Sequence, residues 1–159
     1  MSVFKSQFSR ALPVYAGPNA VIPSPYAVTS GTSTSVASGK LLDNTKNFIA
    51  AGVKVGDVVY NTSTAQAATI TNVTSGQIVL NDDIFLAIGD TYTIYQESSQ
   101  SGLGNQGCYL YIDVSTNLTV VTLGGDEVVF NGLQGGTILP VQVIQVIQST
   151  ASSNLVALW

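Results

Sequence analysis

From Thr137 to Trp159 the chain reads TILPVQVIQVIQSTASSNLVALW, a stretch without one charged side chain that ends on the only tryptophan. Its Val and Ile density favours a pleated strand over a helix. Gln142, Gln145 and Gln148 recur every third residue, a spacing that fits neither the strand period of about 2 nor the helix period of about 3.6. A strand carrying this pattern has to slip its alternation, so a bulge or strong twist is predicted near Ile144–Gln145. Apolar residues on both faces predict that both are covered, one by a second sheet and one by a subunit. After the STASSN turn, NLVALW returns as a last strand, with Leu155, Ala157 and Trp159 on one face and Asn154, Val156 and Leu158 on the other. The predicted C-terminal core is Val141, Val143, Val146, Leu155, Leu158 and Trp159.

The rest of the chain reads as more of the same class. CYLYIDV, NLTVVTL and EVVFNG precede that stretch, with GGDE as a tight turn, and complete a β-sandwich over residues 108–159. In CYLYIDV, Tyr109, Tyr111 and Asp113 alternate with Cys108, Leu110, Ile112 and Val114, giving an amphipathic and an apolar face. Residues 97–107 are polar and Gly/Ser-rich, a linker. Residues 28–96 carry short strands with tight turns, which suits a small barrel-like module. There, NTKNFIAAG predicts a helical turn or two, with Asn44 as N-cap and Gly52 as the stop. Residues 1–27 form an N-terminal arm. Phe4, Phe8 and Leu12 share one face of a predicted short helix that Pro13 ends, and four of the five prolines then keep the chain extended. The predicted fold class is all-β: an arm, a barrel-like module and a sandwich.

Charge separates the same segments. Only 9% of residues are charged, against about 25% in a typical domain, while 45% are apolar. Such a chain folds but repels its neighbours weakly. Lys5, Arg10, Lys40, Lys46 and Lys54 all lie in residues 1–54 against Asp43 alone, a net +4; residues 55–159 carry −8. Intramolecular docking, a basic arm reaching an acidic neighbour, or chance among so few charges each account for the asymmetry. With no basic patch and a net charge of −4, no nucleic-acid partner is expected. No apolar segment approaches a span of about 20 residues, so no membrane partner is expected either. The opening MSVFKSQFSRALPVYAG lacks the apolar run of a signal peptide, and synthesis in a cytoplasm is expected. In such a chain the Asn61, Asn72 and Asn117 sequons read as chance.

The usual reactive chemistry is missing from the sequence. There is no histidine, which excludes His-based triads and most zinc sites. Cys108 stands alone, so it forms no internal disulfide and has no imidazole base. GLGNQG matches a dinucleotide fingerprint by letter only, since it lies in the linker before a strand. Asp82–Asp83 and Asp126–Glu127 fall in predicted turns and read as surface residues rather than calcium ligands or a glycosidase pair. No catalytic residue, metal or cofactor is assigned, and no enzyme is expected.

Two stretches carry a resemblance. Leu139-Pro140-Val141-Gln142-Val143, then QSTASSN, then Leu155–Trp159, with LTVVTLGGDEVVFNGLQGG upstream, resembles the closing module of tailed-phage virion proteins, including head-spike base proteins. KLLDNTKNFIAAGVKVGDVVYNTSTAQAATITNV resembles a small β module of phage structural proteins, especially those of marine cyanobacterial myophages, and MSVFKSQFSRAL fits the layout of that group. The resemblance implies a non-enzymatic virion structural protein: a decoration, cement or vertex-spike base protein assembled as a trimer, pentamer or ring. Its partners would be copies of itself and the major capsid protein or other virion proteins. Phe4, Phe8, Arg10, Leu12 and Tyr15 of the arm are expected to make the capsid or inter-subunit contact, so that truncating residues 1–27 abolishes particle binding while the β units stay folded. A neck, tail or baseplate adaptor is the alternative placement. The alternative class is a glycan- or receptor-binding module, with Tyr15, Tyr26, Tyr60, Tyr92, Tyr95, Tyr109, Tyr111 and Trp159 as stacking surfaces.

Overall fold

The computed structural model describes residues 8–97, 106–150 and 155–159. These residues form an all-β chain of two antiparallel sheets, with no helix among them.

The first sheet is built from β2 (Ala27–Thr32), β3 (Ser35–Ala37), β4 (Lys40–Leu42), β5 (Val58–Asn61), β6 (Gln66–Val73), β7 (Gln77–Leu80) and β8 (Thr91–Tyr95). Its seven strands run in the order β2-β8-β5-β6-β7-β4-β3. β6 changes partner along its length: Gln66–Thr69 pair with β5, and Ile70–Val73 pair with β7 across a register shift. The two edge strands are joined by only Ser33 and Thr34, so the sheet curls back towards its own start. No ladder joins β2 to β3, which corrects the expected barrel to an open, rolled sheet. Alternation fills the roll: Val59, Ala68, Ile70, Ile78, Tyr92 and Ile94 point inward with Leu41, Phe48 and Phe85. NFIAAG makes one turn, with Ala51 N–H donating to Asn47 O at 2.9 Å. Asn47 caps it by accepting from Ala50 N–H at 3.0 Å, in place of Asn44, and Gly52, at φ +87°, ends it.

The second sheet holds β1 (Ala11–Val14), β9 (Cys108–Ile112), β10 (Thr116–Thr122), β11 (Glu127–Leu133), β12 (Thr137–Ser149) and β13 (Leu155–Leu158). Its order is β1-β13-β9-β12-β10-β11. The expected helix over residues 1–12 lies mostly outside the described residues, but its last two, Ala11 and Leu12, are strand. Pro13 sits where proline is tolerated, on an edge strand. β12 shows the predicted slip. Gln148, Val146, Gln145 and Val143 face Thr119, Val120, Val121 and Thr122 in turn, so Ile147 and Ile144 are each extra residues. Two one-residue bulges convert a period of about 2 into 3, which is why the glutamines and the buried Val143 and Val146 both step by three.

A single curled sheet stands where a two-sheet sandwich was expected. Its core is Leu110, Ile112, Leu118, Val120, Leu139, Val143, Val146, Leu155 and Ala157, all from its own strands, closed by Val14 and Ile22. A third cluster joins the two sheets. Leu12 and Trp159 from one side meet Val58, Tyr60, Ala67 and Tyr95 from the other, with Tyr15, Ala20 and Val21 between them. The proline-rich segment is thus packed along its own chain. Gly17 and Ile22 N–H groups donate to Val146 and Ile144 carbonyls at 2.9 and 2.8 Å, beside the β12 bulges.

Candidate docking face

The curled sheet buries one set of side chains and presents the other. Its inner row runs Leu12, Ala157, Leu110, Leu139 across four strands, all buried. One residue along, the outer row runs Pro13, Val156, Tyr111, Ile138, and the next runs Ala11, Leu158, Tyr109. No charged side chain stands in these outer rows. Pro13 and Ala11 are exposed, Val156, Leu158, Tyr109 and Tyr111 are half-buried, and Ile138 is 44% exposed. One end of this face is hollowed into a groove of about 640 Å³ between Phe8, Tyr109, Ile138, Pro140, Leu158 and Trp159. The Phe8 ring closes one wall against Tyr109 at 5.8 Å. Gln106 and Gln142 supply amides at the rim, and Gln142 Nε2 donates to Gln106 O at 3.3 Å.

The C-terminal strand fixes this end. Trp159 N–H donates to Arg10 O at 3.0 Å, and its carbonyl accepts from Ser9 N–H at 2.6 Å. Cys108 reaches the groove floor only as a wall. It is buried, its Sγ donates to Val143 O at 3.6 Å, and burial pushes its thiol up to about 12.

The residues singled out from the sequence divide between this face and the interior. Phe4 lies outside the described residues. Phe8 lines the groove. Arg10 stacks over the Tyr26 ring at 4.2 Å. Leu12 is buried at the seam, and Tyr15 stacks on Tyr60 at 4.6 Å. Val143, Val146 and Leu155 are core, with Val141 and Trp159 packed partly against it, while Leu158 turns to the groove. The tyrosines form no common platform. Tyr60 and Tyr92 are buried, Tyr95 packs on Tyr60 at 5.1 Å, and only Tyr26 is more than half exposed. Val156, Ile138 and Pro13 were missed as surface residues. The alternation of CYLYIDV, which sets Tyr109 and Tyr111 on one face, was the signal for them.

Of the paired acids, Asp82 and Asp83 hold a turn, while Glu127 opens strand β11 instead of lying in the expected turn. Asp83 accepts from Gly39 N–H and Ser38 Oγ, both at 2.9 Å, and Asp82 accepts from Asn19 Nδ2 at 2.8 Å. Among the described residues no group of three or more metal-ligating side chains gathers. Comparison with protein-family models, with curated proteins and with solved structures gave no match.

Proposed function

We propose that this chain is a non-enzymatic structural protein of a tailed-phage virion, associated with the capsid as a decoration, cement or vertex-spike base protein. The observation that carries the reading is the uncharged outer rows of β1, β13, β9 and β12 in the C-terminal sheet. Such a face loses little on desolvation and gains from each apolar contact, as an assembly surface requires. In this reading the rolled first sheet is the barrel-like module, and the curled second sheet becomes half of a sandwich that a virion partner completes. Phe8, at the groove, is the arm residue placed to share that contact, with Phe4 preceding it. Leu12 and Tyr15 serve instead to hold the two sheets together.

Antibody raised against the chain should decorate purified particles from its native source at the head. Gold at the neck or tail would favour the adaptor alternative, and particles without label would overturn the proposal. A face variant adds a local check. Ile138→Lys, at an exposed position, should change stability by less than about 0.5 kcal/mol yet abolish co-sedimentation with heads lacking the protein.

A second reading has its own support. The groove falls within the common range of ligand pockets, roughly 300–1,000 Å³, and it joins Tyr109 and Trp159 rings to the Gln106 and Gln142 amides. That combination suits a sugar ring, and saturable binding on a glycan array would move the function to a receptor-binding module.

A further inference from the structure

We infer that β11 is a pairing edge for a second copy of this chain, strand to strand and antiparallel about Val129. The inference makes the assembly of copies two-fold, where the resemblance implied a trimer, pentamer or ring; it rests on the ladder and the strand's own sequence and stands if the virion reading fails.

The ladder fixes which groups are open. Thr122 N–H donates to Asp126 O at 2.9 Å across the β10–β11 hairpin. Backbone polar groups along an antiparallel strand alternate in direction. Asp126, Val128 and Phe130 therefore face β10, and Glu127, Val129 and Asn131 turn their N–H and C=O groups away from it. The ladder slips by one residue at Asn131–Gly132, opposite Asn117, where Gly132 N–H donates to Asn117 Oδ1 at 2.7 Å, so the regular run of this edge is Glu127–Phe130 with Asn131 at its end. Among the described residues no strand covers the outer side of β11.

The other edges are guarded or weak. β1 is four residues long and contains Pro13, and β3 has three residues. β2 (AVTSGT) offers mostly small side chains to a cross-strand partner. β11 has seven residues, EVVFNGL, without proline and without charge after Glu127. Strands of this kind pair with other chains unless something blocks them.

The strand is also complementary to itself. Turned antiparallel about Val129, two copies place Val129 against Val129 and Val128 against Phe130. Glu127 then meets Asn131 of the other copy twice, a carboxylate against an amide donor. A parallel pairing would instead set Glu127 beside Glu127. Outward-facing backbone meets outward-facing backbone in the antiparallel register, so the two six-stranded sheets become one. Cross-strand pairs of aromatic and β-branched side chains add to such a contact.

Light scattering on the full chain should return an even multiple of its 16.5 kDa. Val129 is 58% exposed, so Val129→Lys should keep the circular dichroism of the folded chain while setting like charges across the two-fold axis. The expected result is a fall to the single-chain mass. Val129→Cys should cross-link two chains under mild oxidation, because paired residues at this kind of position have Cα atoms about 5.5 Å apart; the chain's own Cys108 is buried. A single-chain mass for the unaltered protein overturns the inference. So does an assembly that keeps its mass in Val129→Lys.

Discussion

Asp43 is fully buried, yet its carboxyl lies below the ordinary Asp range. Burial pushes it up, but hydrogen bonds from the Thr45 hydroxyl, the Tyr92 phenol and the Thr45 amide, and the nearby Lys46 charge, outweigh that push. Tyr92 Oη donates to Asp43 Oδ2 and Thr45 Oγ1 to Asp43 Oδ1, both at 2.6 Å. The same contact explains Gly31: a methyl group there would lie 2.6 Å from the Tyr92 hydroxyl and 2.8 Å from Asp43 Oδ2. Asp43→Ala leaves buried donors unpaired and should cost about 1–3 kcal/mol in urea unfolding; Gly31→Ala should act in the same direction by pushing Tyr92 aside. Because the folded carboxyl takes up a proton less readily than the unfolded one, its stabilisation is complete above the ordinary Asp value of about 3.9 and is lost as pH falls through the folded-state value. The unaltered chain should therefore lose stability more steeply than Asp43→Ala as pH falls below about 4. None of this was legible in the sequence, where Asp43 registered only as a charge. Asp43 and Tyr92 are forty-nine positions apart, and no local pattern marks a partner at that distance. Cys108 was legible as a lone thiol, and its burial predicts slow reaction with thiol reagents until the chain unfolds.

At the scale of elements, the period-three glutamines of β12 gave the bulges away because alternation is a strict rule that a bulge breaks visibly. Deleting Ile144 removes one of the extra residues and leaves Val143 and Val146 two positions apart, still on one face, but takes with it the carbonyl that accepts from Ile22 N–H at 2.8 Å. Losing that one hydrogen bond costs about 0.5–1.5 kcal/mol, so the thermal midpoint should fall modestly with cooperativity kept, whereas a face inversion would have cost the core. β1 was not legible in this way. The spacing of Phe4, Phe8 and Leu12 fits a helix, but β13 offers an open side to Ala11–Val14, and the ladder decides. Truncating residues 1–27 would thus remove a strand as well as an arm, so loss of binding in that variant has to be separated from loss of the sheet. Deleting Leu158 and Trp159 cuts into β13, which lies between β1 and β9. The expected loss in denaturant unfolding is about 2–4 kcal/mol, since both side chains are only partly buried.

At the scale of the whole molecule, the expected linker at residues 97–107 lies mostly outside the described residues, and the seam between the two sheets had no signal in the sequence. Leu12, Tyr60 and Trp159 come from three distant parts of the chain, and nothing in their spacing announces a shared cluster. Both faces of β5 are buried for this reason: Val59 serves the rolled sheet's core, while Val58 and Tyr60 serve the seam. Leu12→Ala, at a buried position, should cost about 2–5 kcal/mol. With the seam intact, far-UV circular dichroism and Trp159 fluorescence should report one unfolding transition. Two transitions in Leu12→Ala, with Trp159 following the earlier, would show that this side chain couples the sheets.

The position of β13 between β1 and β9 also bears on how the chain comes into being. Residues 8–97 emerge from the ribosome well before residues 155–158, and contacts this distant in sequence are slow to form. Through most of synthesis β1 has no neighbour on the side where Leu155–Leu158 will lie, and Cys108–Ile112 waits with one flank empty. An uncharged nascent strand with an open flank invites the wrong partner. Leu155–Leu158 therefore act as a latch: until they pair, β1 and β9 each keep an open flank, and yield at high expression should rise when chaperones are supplied alongside.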